Sequence, residues 1–97
     1  MYARIITSQL KIGTLEQATS IWRQSIVPSL KNTKGFQGGY MTSDPNTGKG
    51  MVVTLWATQA DASAMDSSGQ YQESIAQFAD LLESRPNLEQ LEIMVQV

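Results

Sequence analysis

The side chains of this sequence that could do chemistry are few, because histidine and cysteine are both absent. Without histidine the chain lacks the usual general base near neutral pH, the commonest metal ligand and any axial imidazole for haem. Without cysteine it lacks disulfides, thiolate catalysis and cysteine-based metal sites. Asp61 and Asp66 could act as bases only if burial raised the pKa of their carboxyl groups. No nucleophile–base pair, metal-ligand cluster or phosphate-binding loop is recognisable, so neither a metal nor a cofactor is predicted.

Three aromatic residues are candidates for contact with a substrate. Trp56 is the candidate catalytic residue, because it stands near the end of a predicted strand, where a rigid scaffold can present a side chain to a ligand. A core or interface role is the favoured alternative, since large aromatic side chains dominate core burial. Tyr40 and Tyr71 could each donate a phenolic hydrogen bond to a substrate oxygen. Tyr71 also continues the apolar helical stripe of Ile75 and Phe78, which favours packing with its hydroxyl group at the surface.

Polar residues of the first predicted strand could form the wall of a site. Arg4 is a candidate for stabilising a phenolate, and the favoured alternative is an ion pair with Glu89 or Glu92 of the last strand. Ser8 is a candidate for orienting a ligand, although a hydroxyl group turned to solvent is the commoner arrangement. If there is a site, we expect it where these residues and Trp56 face the helices.

The composition predicts one globular domain spanning residues 1–97. The 97 residues leave no room for a second core, and their 41% hydrophobic content is ordinary for a folded protein. The net charge is −2 and the basic residues are scattered, so nucleic-acid binding has little support. Neither a signal peptide nor an apolar run of about 20 residues is apparent. A soluble, cytoplasmic protein without membrane contact is therefore the default expectation.

A central hairpin organises the elements that must position these residues. The segment 43–50 is rich in turn residues, and it separates two strand-like runs predicted at 36–43 and 51–58. Helical periodicity precedes and follows the hairpin, and further strands are predicted at 2–12 and 88–97. The order strand–helix–hairpin–helix–strand is the split βαβ pattern.

That order predicts an α+β fold of the ferredoxin-like βαββαβ type. Right-handed crossovers give a four-stranded antiparallel sheet in the spatial order 4-1-3-2, with both helices on one face. The other face would expose more apolar surface than a monomer usually tolerates. We therefore expect a homodimer formed through the sheet faces.

Three short motifs resemble the antibiotic biosynthesis monooxygenase family of dimeric α/β barrels. They are Tyr2-Ala3-Arg4-Ile5 leading to Ile12-Gly13, Lys34-Gly35-Phe36 at the hairpin entry, and Leu55-Trp56-Ala57-Thr58-Gln59-Ala60-Asp61 at the strand-to-helix junction. The resemblance covers essentially the whole chain, and it rests on the order and spacing of the motifs. It implies a ferredoxin-like protomer, a dimer sealed through its sheets and a pocket between sheet and helices.

The same resemblance implies two kinds of activity. Some members oxygenate polyphenolic aromatics without metal or flavin, whereas others degrade haem with an Asn, a Trp and a His. Trp56 stands where that Trp would, but the first strand has no Asn and the chain has no His. The hypothesis is therefore a cofactor-independent monooxygenase acting on a small phenol or quinol. A small-molecule-binding or stress-response dimer without chemistry, and a purely structural dimerisation module, remain alternatives.

Overall fold

A sheet of four antiparallel strands is the framework of the protein. The computed structural model describes all residues, 1–97. The strands are β1 (Tyr2–Gln9), β2 (Phe36–Ser43), β3 (Lys49–Trp56) and β4 (Asn87–Glu92). Their spatial order is β2-β3-β1-β4. This arrangement confirms the predicted ferredoxin-like fold and the predicted strand order.

Two helical regions connect the strands. The first consists of α1 (Leu15–Ile21), a π-helical segment (Trp22–Ile26) and α2 (Val27–Lys31). The second consists of α3 (Gln59–Ser67), α4 (Gln70–Ala76) and a short 3₁₀ turn (Ala79–Leu81). No helix combines the length and the hydropathy that a membrane span requires.

The hairpin forms where the turn residues predicted it, and it contains an irregularity at its start. Asp44 and Lys49 close the loop through a backbone hydrogen bond of 2.8 Å. The pairing of β2 with β3 shifts by one residue between Phe36 and Gly38. Because side chains alternate along a strand, this bulge turns Phe36 and Tyr40 to opposite faces of the sheet. Regular alternation over 36–43, without the bulge, would have placed both residues on one face.

The first helical region passes through Pro28 instead of ending there. Proline lacks an N–H group, and its ring collides with the carbonyl group four residues earlier in an α-helix. The turn before Pro28 is wider, and the Val27 N–H donates to the Trp22 carbonyl five residues back. A widened turn relieves the collision, so the helix continues to Lys31. Thr14 precedes the helix but makes no side-chain capping bond; its hydroxyl group donates to the Lys11 carbonyl at 2.6 Å.

The strand ends differ from the sequence prediction, most clearly in β4. The predicted strand over 88–97 ends at Glu92, because β4 pairs only with β1 and its last partner there is Tyr2. Beyond that point Met94, Val95 and Val97 are exposed and have no strand beside them. The first strand likewise ends at Gln9, with one isolated bridge at Leu10, and the third strand runs over Lys49–Trp56.

The helices cover one face of the sheet and build the core there. Trp56 is fully buried and packs with Ile26, Leu30, Ala62 and Met65. A smaller cluster around Leu10, Ala18 and Leu81 continues the core toward the other end of the sheet.

The second face of the sheet, which we call the open sheet face, is covered by no element of the chain. Strand alternation and register assign its apolar side chains. They are Ala3, Ile5, Tyr40, Met51, Val53, Leu55 and Leu91. Tyr40 is 66% exposed, Leu91 52% and Met51 42%.

Candidate functional site

A cavity lies between the covered face of the sheet and the helices. Thirteen of its twenty lining residues are hydrophobic. The sheet contributes Ile6 and Val52, and Leu10 follows β1. The helices contribute Trp22, Ile26, Leu30, Met65 and Ile75, and Phe78 lies just after α4. The cavity volume is about 80 Å³, counted as room for the centres of water molecules.

Arg4 forms the polar end of this cavity. Its position on β1 points its side chain toward α3, and the side chain is only 1% exposed. The guanidinium pairs with Asp66 through Nη1 and Nη2, with both N···O distances 2.9 Å. Nη1 also donates to the Ala62 carbonyl at 3.2 Å and to Oε1 of Gln90 at 3.3 Å. The fork geometry of arginine suits this two-pronged contact with a carboxylate.

The acceptors around Arg4 leave part of its donor capacity free. Guanidinium carries five N–H donors. Nη1 contacts three acceptors, but Nη2 contacts only one oxygen of Asp66, and Nε contacts none. The Nε–H and the second Nη2–H therefore have no acceptor within the protein, and Arg4 is a lining residue of the cavity.

The ion pair differs from the one that the sequence favoured. Glu89 and Glu92 were the predicted partners of Arg4, and the structure shows Asp66 of α3 instead. Arg4 stands opposite Gln90 in the antiparallel register, so the adjacent Glu89 faces the open sheet face. Glu92 stands opposite Tyr2, two pairs farther along the strand. No pattern in the sequence joins Asp66 to Arg4, because their contact depends on how α3 packs on the sheet.

Tyr71 lies beside Arg4 and also lines the cavity. The Arg4 guanidinium carbon is 5.2 Å from the centre of the Tyr71 ring, which is a cation–π distance. Burial raises the pKa of the Tyr71 hydroxyl group above its ordinary value; Arg4 opposes that rise and Asp66 adds to it. Tyr71 is therefore a neutral hydrogen-bond donor throughout the physiological pH range.

Trp56 does not line the cavity, although it lies directly behind the wall. It is fully buried, and its ring meets Phe36 edge-on at a centroid distance of 5.6 Å. Its indole N–H donates to the Thr54 hydroxyl group at 2.9 Å, and Thr54 does line the cavity. Trp56 can therefore influence a bound molecule by holding Thr54, but cannot itself touch that molecule.

The structure brings together three of the five predicted site residues. Arg4, Ser8 and Tyr71 line the same cavity, joined by Thr54, which the sequence prediction missed. Tyr40 lies on the open sheet face and cannot reach this cavity. No group of three or more acidic side chains is positioned to hold a metal ion. The arrangement can enclose a small apolar molecule and direct hydrogen bonds and one positive charge to an oxygen at its end.

Comparisons with known proteins address the fold. No protein-family model matches the sequence, and no curated protein matches it. Solved structures do match. The monooxygenase ActVA-Orf6 of Streptomyces coelicolor, in complex with nanaomycin D, superposes with a TM-score of 0.81 at 8% identity, covering 99% of this chain and 89% of its own.

Two further structures have the same architecture. An antibiotic biosynthesis monooxygenase matches with a TM-score of 0.76 at 9% identity, over 98% of this chain and 100% of its own. The haem-degrading protein MhuD of Mycobacterium tuberculosis, with two haems in its active site, matches with a TM-score of 0.76 at 16% identity, over 100% of this chain and 99% of its own. These likenesses confirm the predicted resemblance at the level of the fold, which different activities share.

Proposed function

We propose that this chain is a monooxygenase of the antibiotic biosynthesis monooxygenase type, acting on a phenol or quinol with a single aromatic ring. The observation that carries the proposal is the apolar cavity with Arg4, Tyr71 and Thr54 together at one end, and with Ser8 farther along β1. The fold shared with the Streptomyces coelicolor monooxygenase supports it.

The volume of the cavity favours a single ring. The volume of about 80 Å³ is near half that of an engineered cavity of roughly 150 Å³ that binds benzene, so one ring is the largest aromatic group that small side-chain movements would admit. Fused ring systems would require the helices to move away from the sheet. The largely apolar lining fits the faces of a ring, and the polar groups at one end fit its oxygen.

Arg4 would stabilise the anion of the substrate. A positive charge within about 4–6 Å favours the charged form of an acid, so the pKa of a phenol bound beside Arg4 would fall. The free Nε–H and Nη2–H groups supply hydrogen bonds to the phenolate oxygen. Tyr71 donates another, and the apolar walls exclude water, which strengthens these interactions.

The proposed reaction uses the electrons of the substrate itself. The phenolate reduces O₂ as a bond forms between oxygen and a ring carbon that carries hydrogen, which lies opposite the phenolate carbon in a phenol and next to it in a quinol. That carbon then loses its proton while the O–O bond breaks, which leaves a quinone and releases water. One atom of O₂ enters the product and the other leaves as water, so no external reductant is needed. The protein contributes orientation and electrostatic stabilisation.

An oxygen electrode tests this proposal directly. The chelator-treated protein should consume O₂ when given a single-ring hydroquinone or phenol, and quinone absorbance should rise at the same rate. Arg4→Gln and Tyr71→Phe should lower the rate, whereas Gln72→Ala on the exposed side of α4 should leave it unchanged. Oxygen uptake no faster than in buffer, for every single-ring phenol that binds, would exclude the monooxygenase.

One observation favours a second candidate, a small-molecule-binding protein without chemistry. Arg4 is already paired with Asp66, so the charge at the end of the cavity is neutral overall before a ligand arrives. No other cationic side chain lines the cavity. Binding of a single-ring aromatic without oxygen uptake would support this candidate over the enzyme.

We also propose that two copies associate through the open sheet face. Its partly exposed apolar side chains come from all four strands, and they form a continuous surface rather than isolated exposed residues. Contiguous apolar patches of this kind mark association sites in soluble proteins. A second copy of the same face offers a surface of matching chemistry, as in an isologous dimer.

A further inference from the structure

The cavity adjoins the protein surface at one side. Trp22, Met41 and Thr42 line the cavity, and the same three residues line a second, open cleft on the protein surface. The cleft is lined further by Leu15, Thr19, Arg23, Val27 and Ser43. Trp22, Met41 and Thr42 therefore form the boundary that the cavity and the cleft share, which we call the partition.

The two sides of the partition belong to different elements, and no hydrogen bond joins those elements directly. Trp22 begins the π-helical segment, and Met41 lies on β2. β2 is an edge strand whose only neighbour is β3. No hydrogen bond joins the segment 15–27 to residues 41–43. The partition is held by side-chain packing alone.

The backbone hydrogen bonds of the first helical region are irregular at the π-helical segment. Pro28 removes one backbone donor just beyond it, so a carbonyl group of the preceding turn lacks its helical partner. Single π turns occur frequently at functional sites. Met41, on the opposite side, has an unbranched and adaptable side chain. Both sides of the partition can therefore move without breaking a hydrogen bond.

We propose that ligands enter the cavity through this partition, with Trp22 and Met41 as the gate and Arg23 as the residue that attracts acidic molecules to it. The inference rests on the proposed function, because it assumes that the cavity binds a small aromatic molecule. It adds the path of entry and the residues that select what enters.

Arg23 gives the entrance its preference for anions. It is exposed and lines the outer cleft. The single ion pair of the protein is that of Arg4 with Asp66, so Arg23 is not neutralised by a carboxylate. Against a net charge of −2, it is a local positive site. Such a site raises the association rate of anions, and salt screens the effect.

Stopped-flow measurements with two single-ring probes test the entrance. The anionic probe is para-nitrophenolate and the neutral probe is para-nitroanisole. Trp22→Ala should raise the association rate constants of both probes, on the order of tenfold, because entry no longer waits for the indole to move. Met41→Ala should raise them in the same direction and serves as the second variant if Trp22→Ala folds poorly.

Two control variants separate the gate from the walls on either side of it. Ile75 lines only the cavity, so Ile75→Ala should change the dissociation rate without accelerating association. Val27 lines only the outer cleft, so Val27→Ala should leave both rate constants unchanged. Arg23→Gln should slow the association of para-nitrophenolate and reduce its salt dependence, while para-nitroanisole associates as before.

The outcomes distinguish this inference from the function on which it rests. If neither probe binds the unmutated protein, the proposed single-ring site is wrong. If the probes bind but Trp22→Ala and Met41→Ala leave association unchanged, the entrance lies elsewhere. If Arg23→Gln slows both probes equally, the residue does not select for charge.

Discussion

At the scale of single residues, Arg4 connects the site to the stability of the fold. Its position on the first strand made Arg4 a candidate, but its partner was not predictable, because Asp66 lies on a helix that reaches Arg4 only through tertiary packing. Ser8 and Tyr71 were candidates too, but the sequence favoured a solvent-facing hydroxyl group for Ser8 and a surface hydroxyl group for Tyr71, because local patterns do not show where a cavity forms. Thr54 was not a candidate, because nothing in its immediate sequence distinguishes a cavity wall from a core hydroxyl.

Asp66→Asn should destabilise the protein, although Asp66 itself is 45% exposed. The change removes the charge that compensates a guanidinium only 1% exposed. Leaving such a buried charged group poorly paired costs about 1–3 kcal/mol. Chemical denaturation gives the free energy of unfolding, and Asp80→Asn on the exposed 3₁₀ turn is the matched control. Equal stability of the two variants would mean that the ion pair contributes little.

The raised pKa of the Tyr71 hydroxyl group predicts a loss of stability in alkaline solution. Burial raises the pKa of its hydroxyl group in the folded state, so above the ordinary tyrosine pKa of about 10 the unfolded chain binds fewer protons. Stability is therefore complete below that pH and declines as the pH rises through the folded pKa. Melting temperatures between pH 9 and about pH 11 should fall less steeply for Tyr71→Phe than for the unmutated protein. Parallel curves would contradict the assignment.

At the scale of elements, the sequence predicted which elements form and in what order, but not where they end. Turn residues located the hairpin, because Asp44, Pro45 and Gly48 favour tight turns. The last strand ended early because its length depends on where its only neighbour begins. The π segment was also unforeseen, since Pro28 permits a break, a kink or a widened turn, and packing against the sheet selects among them.

A side-chain hydrogen bond joins two residues near the end of β3. The Trp56 indole N–H donates to the Thr54 hydroxyl group. Trp56→Phe keeps most of the apolar contact but leaves the Thr54 hydroxyl group without this donor. We expect a loss of about 1 kcal/mol in the free energy of unfolding. Because Thr54 lines the cavity, affinity for para-nitrophenolate should also fall. Melting temperature and binding, measured on the same preparation, separate the two effects; lower stability with unchanged binding would assign Trp56 to the core alone.

At the scale of the whole molecule, the open sheet face is the surface through which we propose that two copies associate. Leu55 lies on this face, so Leu55→Glu should place two like charges close together in a dimer joined across it. Light scattering at micromolar concentration should give a dimer for the unmutated protein and a monomer for the variant. Gln24→Glu, on the exposed side of the π segment, is the control for added charge. A monomeric unmutated protein would refute the proposed association.

The molecule should not degrade haem. It has no histidine to bind the iron, and a cavity of about 80 Å³ is far smaller than a porphyrin. Haem incubated with the protein and a reductant should therefore lose its absorption band no faster than haem alone. Accelerated bleaching would show that the helices open widely enough to admit a porphyrin and that another side chain serves as ligand.

The open sheet face also determines which methionines an oxidant reaches. Met51 is 42% exposed on that face, Met94 is 81% exposed beyond β4, and Met65 is only 6% exposed in the core. Conversion of a methionine to its sulfoxide makes an apolar side chain polar. In an uncovered sheet face, Met51 would react with peroxide soon after Met94, and the added oxygen would make the face less able to associate. A second copy seated over β3 would protect Met51 and leave Met94 reactive. The proposed assembly would therefore shield its own apolar surface from oxidative damage, and a chain oxidised before assembly would be left without a partner.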